Sequence, residues 1–338
     1  MSEKTLSSEK NSKTHNGISK KEAKKIRMQT LSKEELRYLR RKSASEKVWP
    51  FFRFVIMFGL GFVILYPLIY MISCTFRDRS DMTDPTVMWI PRNYTLNVLR
   101  DTLRAMDFGN TLRTTVVLNI GCSLVQVISC ALTGYGFARF SFRGKKLLFG
   151  IVVMMILVPT QVIALPLYTQ FRYFLFGKIN LIDTMWTMYL PAMTANGIRS
   201  GLMILIFRQF FKGLPRELED AAYIDGCGPL MTFLRVMIPN AASAFLTVFL
   251  FSVVWYWNDY YVSTMFFTNT KTIARMLTNL DSELAKQLFN DPTVQISPRE
   301  QIIWKEAGCL ISIAPILIMY AFLQKYFTEG IERSGLVS

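Results

Sequence analysis

The sequence predicts an all-helical integral membrane protein of six spans, on three observations. Of its 338 residues, 51% are hydrophobic, too many for an ordinary soluble domain. Several apolar runs approach or exceed the roughly 18 residues that mark a spanning-helix candidate. Lysine and arginine gather beside these runs in a pattern that sets both chain ends on the cytoplasmic side. Helices follow because, in lipid, each backbone polar group must be bonded within its own segment.

Residues 1–48 are rich in Lys, Ser, Glu and Asn, without a secretory pattern, and are expected to form a basic, largely disordered cytoplasmic tail. A basic helix against anionic lipid is the alternative for its second half. The six-span domain is expected over 49–338, with spans at about 51–73, 112–137, 147–169, 185–207, 241–262 and 306–325. Gly59, Gly61 and Pro67 lie inside the first span, where small residues permit close packing. The second ends in a cationic run, Arg139, Arg143, Lys145 and Lys146, with no acid nearby, which places that end inside. The third holds Pro159 and Pro166 with Thr160 and Gln161 between them, so it is expected to break at depth. The fourth carries Tyr189, Pro191, Asn196 and Arg199, and the fifth ends in the polar and aromatic run Trp255 to Tyr261. An external loop is expected over 266–305, and no simple internal repeat is visible.

Composition excludes several chemistries. The net charge of +15 is concentrated in the tail and beside the spans, not on a basic face with interleaved aromatics, so nucleic acid is not an expected partner. The single histidine, His15, lies in the tail, and the five cysteines show neither CxxC nor metal spacing. No G-x-x-x-x-G-K-[ST] occurs, so the chain has no phosphate-cradling loop of its own.

The stretch Arg216 to Pro239 stands apart, polar and small-residued between two apolar runs. Glu217, Glu219 and Asp220 fall in the first turn of a helix opened by Pro215, where carboxylates complement the positive helix end. Ala221 and Ala222 give a face without bulk, Gly226 permits a turn, and Pro229 opens a second short helix that Pro239 is expected to close. The pattern reads as helix, turn, helix at a membrane surface, or as an ordinary amphipathic connector.

The spacing of Asp220, Ala221, Ala222, Gly226, Val236, Ile238 and Pro239 resembles the cytoplasmic coupling motif of ABC importer permeases. Departures are small: Asp220 replaces the usual Glu, and Val236 and Ile238 replace Ile and Leu. The run GFARFSF at 136–142 and the Trp257-Asn258-Asp259 run are similar to the carbohydrate-uptake branch, the maltose-transporter type with six spans. The resemblance covers nearly everything from Phe51 to the C-terminus.

What the resemblance implies is the ABC importer permease fold in a bacterial cytoplasmic membrane, with segment 214–239 as the coupling helix. It implies a second homologous permease, two ATPase subunits carrying ATP and Mg, and an extracytoplasmic sugar-binding protein that docks on the 266–305 loop. Ala221, Ala222 and Gly226 would supply fit in an ATPase groove; Glu217, Glu219, Asp220, Asp225 and Arg235 would supply polar anchoring. Gln161, Tyr189, Asn196, Trp257 and Asn258 are candidate substrate-path residues, because aromatic faces and polar edges suit sugar rings; a packed kink and an interfacial aromatic belt are the plainer readings. The tail Gly330 to Ser338 is expected near the ATPase interface, although it lacks the usual Lys-Gly finish. The solute is expected to be a sugar, with an oligosaccharide preferred. A permease for another solute is the first rival. An intramembrane enzyme on lipid-linked sugars is the second, and it would need convergent acids or histidine at depth. A structural membrane scaffold would have no reason to carry the motif.

Overall fold

In the computed structural model, residues 33–335 are described along the backbone, with side chains described over 48–325 apart from residue 83. The expectations for residues 1–32 and for the side chains of Gly330 to Ser338 lie outside these bounds. The chain divides into two compact units, 1–67 and 68–338. The first unit holds most of helix α1 (Lys33–Thr75), whose apolar segment has a mean hydropathy of 2.3 with none of its most apolar window buried. A helix apolar on every side and covered on none is suited to lipid.

The second unit is built on α3 (Phe108–Arg139), which follows the short α2 (Asn97–Ala105). Residues Thr111, Thr115, Leu118, Cys122, Gln126, Cys130 and Gly134 recur every three or four positions and are buried, so α3 has partners on a broad face. The partners are α6 (Trp186–Met193), α7 (Ser200–Gly213) and α10 (Ala242–Asn258). Gly134 sets the approach to α7: a Cβ there would lie 2.7 Å from Phe207 Cβ and 3.0 Å from the Arg208 nitrogen. Phe207, Phe211, Met203 and Met237 fill the core at this end.

Among the described residues, three long helices are apolar enough to cross a membrane, Val48–Thr75, Phe108–Arg139 and Pro298–Lys325, and two bent pairs reach that test together. The third expected span is one of these pairs. α4 (Lys145–Leu157) meets the segment that contains α5 (Ala164–Arg172) at 102°. Pro159 pushes Val158 out of helical geometry, to ψ 116.

The stretch expected as a span at 185–207 consists of two helices, α6 and α7, separated at 194–199. Pro191 removes a helix donor, and Ala195 and Arg199 take left-handed conformations. Gln126 compensates the break, its Nε2 donating to the Ile198 carbonyl at 2.7 Å. Gly197 allows that contact, since a Cβ there would sit 2.2 Å from Gln126 Oε1.

The segment 266–305, expected as an external loop, carries helices of its own. After α11 (Tyr261–Phe266) it folds into α12 (Ile273–Thr278) and α13 (Leu280–Phe289), and the last described helix, α14 (Pro298–Gly335), begins well before 306. Ile273, Met276, Leu280 and Leu284 have helical spacing and join Val98, Met106 and Trp304 in a separate core. Ser297 caps α14, its Oγ accepting from the Glu300 N–H at 3.4 Å. This lobe at the Phe108 end has internal pins. Buried Asp81 accepts the N–H groups of Arg92 and Asn93 at 2.7 and 2.9 Å. Asp183, itself left-handed at φ 64, accepts the N–H groups of Thr268, Asn269 and Thr270 at 2.9–3.1 Å.

Candidate functional site

The segment between α7 and α10 forms a knuckle at the Arg139 end of α3. Its first helix is α8 (Glu217–Ile224), with Glu217, Glu219 and Asp220 in the first turn as the sequence requires. Gly226 ends it at φ +81; Cys227 N–H reaches the Ala222 carbonyl at 2.9 Å and Gly226 N–H the Tyr223 carbonyl at 3.1 Å. This double return is the glycine-dependent stop that satisfies orphan carbonyls. α9 (Pro229–Thr232) follows, with Pro229 in its first turn.

Pro239 does not close this second helix, which is a correction. The coil continues to Asn240 and then turns by 82° into α10. Proline has no N–H for the carbonyl one turn back, and the chain absorbs the loss by widening to a π-helix over Phe233–Met237, where the Ile238 N–H bonds the Phe233 carbonyl.

The knuckle has two unlike faces. The inner one carries Glu219, Ala222, Phe233 and Met237, all buried. Phe233 lies 4.9 Å, centroid to centroid, from Tyr135 of α3. Glu219 accepts the Tyr135 hydroxyl at 2.8 Å and lies 3.0 Å from Arg139 Nε. The Nε–Oε2 approach is short but poorly directed for a hydrogen bond, so charge holds the pair. Arg139 also donates from Nη2 to the Leu214 carbonyl at 2.7 Å.

Two expectations change accordingly. Glu219 does not face outward as an anchor for a partner, because a cation on α3 claims it. Ala222 does not offer a small surface to a partner groove, because its own chain covers it. The outer face keeps Glu217, Asp220, Ala221, Asp225, Gly226 and Arg235 exposed. Between these charges lie exposed apolar side chains, with Ile224 at 86%, Leu230 at 64% and Leu234 at 49% exposure.

The candidate path residues are not brought together. Asn196 lines a cavity of about 410 Å³ with Thr160, Pro191, Arg199, Tyr256 and Asp259. Gln161 is exposed beside it and not on its wall. Tyr189 fills the notch at Gly121 and donates to the Val117 carbonyl at 3.1 Å. Trp257 and Asn258 line another cavity, of about 510 Å³, with Tyr260, Lys305 and Ser312. Trp257 Nε1 donates to the Ser312 carbonyl at 3.1 Å, and Asn258 Nδ2 to the Val254 carbonyl at 2.9 Å.

Sequence reasoning missed the polar seam inside the bundle. Asn119 and Gln126, seven residues apart on α3, are both buried; Asn119 Nδ2 donates to the Val253 carbonyl at 2.9 Å, and the Tyr256 hydroxyl donates to Gln126 Oε1. Two amides at that spacing within one apolar run were the available signal.

The chain is similar to known proteins in sequence and in fold. The family model described as "Binding-protein-dependent transport system inner membrane component" matches residues 131–333. Protein LplC of Bacillus subtilis is 28% identical over 80% of this chain and 89% of its own length. The arabinooligosaccharides transport system permease protein AraQ of Bacillus subtilis is 27% identical over 82% of this chain and 92% of its own. A solved bacterial ABC transporter involved in the import of the acidic polysaccharide alginate has a chain that superposes with a TM-score of 0.66 at 20% identity, covering 84% of this chain and 98% of that one.

Proposed function

The chain belongs to the inner-membrane components of binding-protein-dependent transport systems, and from that membership we propose that it forms half of a membrane path for a carbohydrate, driven through its knuckle. It is a multi-pass ABC importer permease, a transport subunit and not an enzyme. The proposal extends to the solute, an oligosaccharide, which is supported by the arabinooligosaccharide permease among its relatives. It extends also to the assembly: a second homologous permease, two ATPase subunits that bind ATP and Mg, and an extracytoplasmic sugar-binding protein. On this reading both termini are on the cytoplasmic side.

One observation carries this reading: the outer face of the knuckle leaves Ile224 and Leu230 uncovered among charges. Exposed apolar side chains with a polar rim, held on a short rigid helix, suit a groove on another protein. Ala221 and Gly226 allow close approach, while Glu217, Asp220, Asp225 and Arg235 make the rim contacts. When ATP closes the motor subunits the knuckle tilts, and the helices joined to it open one side of the path and seal the other. Asn196, Trp257 and Asn258 are the path residues that line cavities large enough to admit part of a sugar ring.

The test is to co-express the chain with its partner subunits and replace Ile224→Glu. The ATPase subunits no longer copurify, and uptake of labelled oligosaccharide into vesicles stops while the chain still inserts. Normal copurification and uptake would overturn the reading.

A further inference from the structure

The knuckle is joined by the backbone to α7 and α10 only, yet its one buried carboxylate is held by a third helix. Tyr135 and Arg139 lie four residues apart, hence on one face of α3, and both reach Glu219, at 2.8 and 3.0 Å. Arg139 and Glu219 side chains are 7% and 8% exposed, and the rings of Phe211 and Phe233 pack on Tyr135 at 5.6 and 4.9 Å between centroids. Opposite charges in such surroundings stay together, because separating them leaves each one buried and unpaired. The hydroxyl and the guanidinium approach different oxygens of the carboxylate, so the grip resists rotation as well as separation.

We propose that Glu219, Arg139 and Tyr135 are the positioning residues through which motion of the knuckle enters α3. A helix of 32 residues is a rod of roughly 48 Å. Its other end is planted in the lobe, where Phe108 and Leu112 pack against the lobe core. A displacement at Glu219 therefore reaches the far lobe along one helix, without passing through the broken α6–α7 pair. The inference rests on the coupling reading above and adds to it the route by which the tilt travels.

The experiment uses the assembled complex in lipid vesicles, reading solute taken up and ATP hydrolysed in the same sample. Glu219→Gln lowers the number of solute molecules moved per ATP by about fivefold or more, the range of ordinary coupling energies. Tyr135→Phe removes a single hydroxyl outside the ion pair and lowers the same ratio by less, which keeps the test available if Glu219→Gln fails to assemble. A ratio equal to that of the unaltered complex in Tyr135→Phe, with only the yield of complex reduced, would overturn the proposal and leave the cluster a packing feature. The Ile224→Glu arm separates the two readings. If it leaves docking and uptake intact, the coupling reading falls; if it abolishes docking while the Glu219→Gln ratio is unchanged, the linkage alone falls.

Discussion

The lobe at the Phe108 end of α3 and the knuckle at its Arg139 end differ in what they leave uncovered. The lobe has a core of its own, with Met276, Leu280, Leu284 and Trp304 buried, and its Asp81 and Asp183 accept backbone N–H groups of neighbouring loops. The knuckle buries one face against α3 and turns Ile224, Leu230 and Leu234 outward. Both are short helices joined by tight turns, so secondary structure does not separate them. The contrast lies in where the apolar side chains point. A cluster of exposed aliphatic side chains rimmed by charges is the kind of surface that marks an interaction site.

Four substitutions sharpen or break this contrast. Trp304→Ala removes the largest side chain of the lobe core and is expected to cost about 3–5 kcal/mol. Hydrogen exchange should localise the loss to the lobe, with ATPase copurification retained; loss of copurification would show that the two ends are not separable. Gly134→Val forces α3 and α7 apart at backbone distance, with an expected cost of about 1–3 kcal/mol, read as a lowered thermal midpoint in detergent.

Asp183→Asn is expected to cost about 1–2 kcal/mol, because hydrogen bonds to a charged acceptor become neutral ones. Burial raises the Asp183 pKa, but the N–H groups of Thr270 and Asn269 outweigh it and hold the carboxyl well below the usual range. A depressed carboxylate contributes stability above its unfolded pKa of about 3.9, and that contribution is lost as pH falls through the folded value. The stability gap between Asp183→Asn and the unaltered chain should therefore close in acid, and a gap independent of pH would refute the assignment. The smallest effect is Ile224→Ser, within about 0.5 kcal/mol of unchanged because the side chain is already in solvent. A large destabilisation there would mean that the outer face of the knuckle is structural.

Much of this was legible from residue order. The acid first turn of α8, the stop at Gly226 and the break at Pro159 each follow from local rules about helix ends and proline, and each appears where the residues require it. The inward turn of Glu219 was not legible. Its cation stands 80 positions earlier, and nothing local distinguishes Glu219 from Glu217 or Asp220. The lobe helices were passed over for a similar reason. The run from Ile273 to Phe289 is too polar to read as a span, and its apolar stripe has meaning only against Val98 and Trp304, far away in the chain. The split of the 185–207 run depends on Gln126, which offers a replacement for the helix bonds lost after Pro191.

The widened coil at Phe233–Met237 gives this segment a tolerance in length that its composition lacks. Deleting one of those five residues would let the backbone relax to ordinary α winding. Because five residues of the wide coil and four of the ordinary one each make little more than one full turn, the parts on either side would keep nearly the same facing. Ile224 and Leu230 would then still point outward, so a variant shortened by one residue within this turn should fold with its outer face unchanged.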